Sequence, residues 1–100
     1  LPTVTSWNAA RHRGVAEFAA ARELEFLDLN LLYDQMGLDG AVAFRDAGNH
    51  LNVIGATAVT AYLGRYIARQ YRLPDLRGNS RYANRQEEWV CYRRFVNGNV

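Results

Sequence analysis

The hydrophobic pattern of this chain changes period several times along its length. From Ala9 to Arg22 it is Ala-rich, with Val15, Phe18 and Ala19 on one face at helical spacing. Asn8 stands just ahead of it as a good N-cap, so a helix is predicted there, although Gly14 weakens it by about 1 kcal/mol relative to Ala. Leu24-Glu-Phe-Leu-Asp-Leu29 follows, a dense apolar run too short for a helix of its own. It reads as a strand buried on both faces, the kind found in parallel sheets. Asn30 is placed to cap a short helical turn through Leu31, Leu32 and Tyr33, which Gly37 would end, and Asp39-Gly40 marks a loop from Leu38 to Phe44.

The strongest helical signal comes after a polar, glycine-bearing stretch from Phe44 to Asn52. With Asn52 as cap, Ala56, Val59, Leu63 and Ile67 form an apolar stripe, and Arg65, Arg69 and Arg72 sit off it. Arg72 falls in the last turn, where a cation is favoured, and Pro74 bars continuation. Residues 73–82 read as an extended connector. Glu87 to Val96 is predicted as a final helix with Trp89, Tyr92, Phe95 and Val96 facing inward. Leu1 to Thr5 is short and β-prone. Strand, helix, strand, turn, loop, helix is the alternation of an α/β domain with a parallel sheet. Two strands leave open sheet edges, so the pattern asks for more strands than it supplies.

Composition narrows the picture only a little. One hundred residues suit one small domain, and 49% apolar against 22% charged is an ordinary globular balance. No apolar stretch approaches the roughly 20 residues of a membrane span, and no signal segment opens the chain. Cys91 alone excludes an internal disulfide and a thiolate zinc cluster. The chain opens at Leu1 with Pro-Thr-Val-Thr following, which gives the expectation of a piece excised from something longer. Twelve Arg and no Lys against ten acids leave a net charge of +2. Eight of the Arg lie from Arg65 onward among Tyr66, Tyr71, Tyr82, Trp89 and Tyr92. Glu87, Glu88 and Asp75 dilute that charge, so a carbohydrate or another protein fits better than a nucleic acid.

The credible chemistry is in the loop from Asp46 to Asn52. An aspartate can accept an imidazole Nδ1–H, fix the tautomer, and stabilise the imidazolium formed when Nε2 takes a proton. Gly48 would let the turn bring Asp46 and His50 together. The plainer alternative is an Asx-turn beside a surface histidine. His12 is expected on the solvated face of the first helix, and Asp28 and Asp34 in capping and turn roles. Cys91, between Val90 and Tyr92, reads as a buried inert thiol.

The stretch from Asp46 through His50-Leu-Asn-Val-Ile-Gly-Ala to Tyr62-Leu-Gly-Arg-Tyr66 resembles the last block of the SGNH (GDSL-type) hydrolases. More narrowly it resembles a bacterial branch whose block is followed by the ending seen here as Tyr71-Arg-Leu-Pro-Asp-Leu-Arg-Gly78. The likeness implies an incomplete three-layer α/β/α domain over residues 1–78, with an aromatic and Arg-rich extension over 79–100. It implies serine esterase or O-acyl transferase chemistry on carbohydrate or cell-envelope O-acyl groups, with no cofactor and no metal. The family's base falls on His50 and its orienting acid on Asp46, although three residues intervene here where the family has two. No Gly-Asp-Ser block is present; Ser6 and Ser80 are the only serines. The nucleophile is therefore expected from a missing N-terminal half, and a bacterial envelope or secreted location is implied by the likeness alone. The alternative is a non-catalytic interaction module that associates with a second copy.

Overall fold

The computed structural model describes residues 7–46 and 48–98, and these divide into two compact units, Leu1–Tyr62 and Leu63–Val100. Helix α1 spans Ala9–Ala20, α2 Tyr33–Met36, α3 Val53–Gln70 and α4 Ala83–Gly98, with 3-10 turns at Leu29–Leu31 and Ser80–Tyr82. The unit boundary falls inside α3.

In the first unit, α1 starts because the Asn8 side chain accepts from Arg11 N at 3.0 Å, satisfying one of the orphan donors of the first turn. It stops in a left-handed Glu23, φ 55°, with Leu24 N bonded to Ala19 O and Glu23 N to Ala20 O. Gly37, φ 62°, ends α2 in the same way, with Leu38 N bonded to Tyr33 O. The core is small. Met36, Leu38 and Ala43 are buried, with Leu29, Leu32, Tyr33, Phe44, Ala58, Val59 and Tyr62 packed against them. Burial raises the Tyr33 phenol above its ordinary range. The packing face of α3 in this unit is therefore Gly55, Ala58, Val59 and Tyr62; of the predicted stripe, Val59 joins it while Ala56 is exposed.

The parallel sheet and the three-layer α/β arrangement are overturned: among the described residues there is no strand, only one antiparallel bridge between Phe44 and Leu51. These residues do not form an SGNH-type α/β scaffold. Leu24 to Asp28 is irregular chain that leads into the Leu29–Leu31 turn. A strand is defined by the neighbour it pairs with, and the described residues offer this run none. Its Asp28 is captured as the cap of the turn, accepting from Asn30 N, so the Asn30 cap is also corrected. The β-prone Leu1 to Thr5 lies outside the described residues, as does Ser6.

The predicted inward faces of two helices are corrected as well. Val15 and Phe18 of α1 are exposed and only Ala19 is buried. The Arg22 guanidinium covers the Phe18 ring at 3.7 Å, giving it a cation–π partner in place of a core.

In the second unit, α3 ends in a left-handed Arg72, φ 51°, with Leu73 N bonded to Ala68 O. The turn that follows is held by Asp75, which accepts from Arg77 N at 3.0 Å and Arg77 Nε at 2.8 Å. Asn79 caps the Ser80–Tyr82 turn through Arg81 N, and α4 begins four residues before the predicted Glu87. No described residue of α4 is buried: Trp89, Tyr92 and Phe95 are exposed, against the prediction, and Trp89 stacks on Tyr92 at 5.8 Å between ring centroids. Cys91 is exposed rather than buried. No helix among the described residues is long and apolar enough to cross a membrane.

Two helix ends thus place an exposed, non-glycine residue in the left-handed region, which costs an L-residue roughly 1–2 kcal/mol. Glu23→Gly and Arg72→Gly are each expected to raise stability by about 0.5 kcal/mol, the strain relieved exceeding the added unfolded-chain entropy. A urea titration followed by helical circular dichroism reads this, and a lower midpoint in both variants would contradict it.

Candidate active site

The loop between the core and α3 is closed at its base by backbone bonds. Asn52 N donates to Ala43 O at 2.9 Å and Arg45 N to His50 O at 2.8 Å. Asn52 also caps α3, its Oδ1 accepting from Gly55 N at 3.1 Å, while its Nδ2 donates to Val42 O at 2.6 Å. One side chain thereby joins the helix start to the incoming arm of the loop. Between these fixed ends the chain reverses at Gly48, φ 96°, whose N donates to Asp46 O at 2.7 Å. That φ is open to glycine at no steric cost, and it brings residues 46 and 50 onto the same side.

Asp46 is held by main chain. Its Oδ1 accepts from Asn49 N at 2.9 Å and His50 N at 3.0 Å, and its Oδ2 lies 2.6 Å from His50 Nδ1. The hydrogen bonds from the His50 side chain and backbone bring the Asp46 carboxyl down to about 2, so it is ionised at neutral pH. An ionised carboxylate only accepts, so neutral His50 must donate from Nδ1, and Nε2 carries the lone pair. The His50 side chain is 77% exposed and Asp46 40%, which leaves Nε2 open to an approaching group. Asn49 contributes its backbone N–H to Asp46, and the turn carries the acid to the imidazole.

Arg45, Asp46 and His50 line a shallow groove of about 410 Å³. Arg45 brings a cation to the same groove. Its one sequence signal is adjacency to Asp46. No group of three or more metal-ligating side chains occurs among the described residues.

No family model, curated protein or solved structure matches the chain.

A second acid–imidazole pair, which the sequence pattern does not reveal, lies in the same unit. His12 Nδ1 is 2.7 Å from Asp28 Oδ2, which also accepts from Trp7 Nε1 at 2.8 Å. Asp28 Oδ1 takes Asn30 N and Asn30 Nδ2 at 3.0 and 2.9 Å. Desolvation is the largest single influence on Asp28 and raises its pKa. The bonds from His12, Asn30 and Trp7 together outweigh it and hold the carboxyl below the ordinary value. The expectation that His12 sits on a solvated face is corrected: it is half-buried, its ring 5.5 Å from that of Phe26. Trp7 and His12 occupy the positions just before and four after the Asn8 cap, which a helix start brings together. That adjacency is the available signal; the acid they share is 16 residues beyond His12.

Proposed function

We propose that Asp46 and His50 are the base half of a serine esterase or O-acyl transferase centre. Its substrates are O-acyl groups on carbohydrate or cell-envelope polymers, and its nucleophile and oxyanion donors come from polypeptide other than the residues described. The observation that carries this reading is the 2.6 Å contact between Asp46 Oδ2 and His50 Nδ1, with the carboxylate fixed by two backbone donors. Asp46 sets the tautomer. His50 Nε2 takes the proton from a serine hydroxyl as it attacks the ester carbonyl, and later returns it to the leaving oxygen. The imidazolium formed in between is stabilised by the adjacent carboxylate.

The test is hydrolysis of a small acetyl ester by the protein isolated from its source cells with any polypeptide that accompanies it. His50→Ala is expected to lower kcat by about a thousandfold, and Asp46→Asn by a similar factor. Equal turnover when Asp46 and His50 are both alanine would overturn the assignment. The exposed Trp89 and Tyr92 of α4 favour a second reading, an interaction module whose aromatic face meets a partner. Under that reading hydrolysis of an unactivated acetyl ester stays at the buffer rate, and changing Asp46 and His50 to alanine does not alter it.

A further inference from the structure

Both histidines of the chain are bonded through Nδ1 to an aspartate, but the two pairs are built differently. Asp46 and His50 stand in the open. The Asp28 side chain is 4% exposed, and three donors besides His12 occupy its oxygens: Trp7 Nε1 on Oδ2, Asn30 N and Nδ2 on Oδ1. The carboxylate therefore has no freedom to turn away from the imidazole. Since an ionised carboxylate only accepts, neutral His12 donates from Nδ1 and keeps its lone pair on Nε2. The His12 side chain is 34% exposed, and the apolar ring of Phe26 lies 5.5 Å from its own, centroid to centroid. A hydrogen bond from Nδ1–H to an ionised carboxylate pushes electron density into the ring and strengthens Nε2 as a nucleophile.

We propose that His12 is a second reactive centre of this chain, whose Nε2 accepts an acyl group from an activated ester. The Nε2 lone pair forms a bond to the carbonyl carbon, and the carbon–oxygen bond to the leaving group breaks, releasing an aryloxide. The acylimidazolium is stabilised by the Asp28 carboxylate. Water then attacks the acyl carbon, the nitrogen–carbon bond breaks, and imidazole leaves neutral. One carboxylic acid and one proton are released, the proton balancing the aryloxide of the first step. No serine and no second polypeptide is required, so this activity is independent of the Asp46–His50 reading.

The probe is p-nitrophenyl acetate, offered to the 100-residue chain alone. Measured in a His50→Gln background, which removes the other imidazole, His12→Asn is expected to lower the rate above buffer about tenfold. Asparagine keeps an N–H donor near the Nδ1 position, so the bond to Asp28 can survive while Nε2 is removed. Helical circular dichroism checks that the variant stays folded. Should it unfold, mass mapping of the acetyl group on the His50→Gln chain takes its place, and the label is expected on the peptide that contains His12. The proposal fails if folded His12→Asn keeps the full rate, or if the acetyl label is found on tyrosines or Cys91 and not on His12. It also fails if the His50→Gln chain is no faster than free imidazole at equal concentration.

Discussion

Gly55→Ala is expected to destabilise the first unit by about 2 kcal/mol, against the usual direction of a glycine-to-alanine change inside a helix. A methyl on Gly55 would collide with Ala43 O and stand 2.7 Å from Leu51 Cδ2. The Ala43 carbonyl cannot give way cheaply, whereas the Leu51 side chain can turn aside. Ala43 is 1% exposed, and its carbonyl already accepts Asn52 N, the bond that closes the loop. Leu51 is the partner of Phe44 in the single bridge. Moving Ala43 loosens the base of the loop that carries Asp46 and His50, so loss of stability and loss of the 2.6 Å contact are expected together. Gly64→Ala is the internal control. Gly64 lies in the same helix, and a methyl added there would meet nothing within 4 Å, so the propensity gain of up to about 1 kcal/mol is expected to stand alone. Urea midpoints followed by helical circular dichroism measure both, and a Gly55→Ala chain as stable as Gly64→Ala would contradict the close approach.

The other large effect is expected at Asp28. Asp28→Ala removes the one acceptor shared by Trp7 Nε1, His12 Nδ1 and both Asn30 donors, and strands half-buried N–H groups without partners. A loss of about 3 kcal/mol is expected, the range for breaking a buried charged hydrogen-bond network from one side. The loss carries a pH signature. The Asp28 carboxyl is held below its ordinary value of 3.8, so its contribution is complete above that value and disappears as pH falls through the lowered one. Wild type is therefore expected to lose stability on acidification by more than Asp28→Ala does. Parallel acid-side slopes for the two proteins would show that the network contributes nothing through this carboxyl.

The contrast between the two Asp–His pairs shows what a sequence displays. Asp46 and His50 lie within one turn of chain, Gly48 supplies the reversal, and Asn52 fixes the helix behind them, so the pair is legible from local chemistry. The caps Asn8 and Asn52 and the stop at Gly37 are legible for the same reason: each acts on backbone within four residues. Asp28 and His12 meet only because α1, its left-handed stop at Glu23 and the turn after Asp28 fold back together. No periodicity records that return. The strand expected from Leu24 to Leu29 fails for a related cause, since an apolar run of six shows that a segment is to be covered and not by what. In α4 the aromatic spacing predicts an inward face; the helix is there, but its unit offers those rings no interior to turn toward.

Only four apolar side chains of the described residues, Ala19, Met36, Leu38 and Ala43, are buried, and two of them are alanines. Little hydrocarbon is then newly hydrated when the chain opens, and the heat-capacity step of unfolding scales with that hydration. A small step flattens the curve of stability against temperature. What holds this molecule together is correspondingly polar: an asparagine at each long helix start in the first unit and two aspartates gripping imidazoles. Its response to heat and cold is therefore expected to be shallow, and the heat-capacity step read by scanning calorimetry is the measure of it.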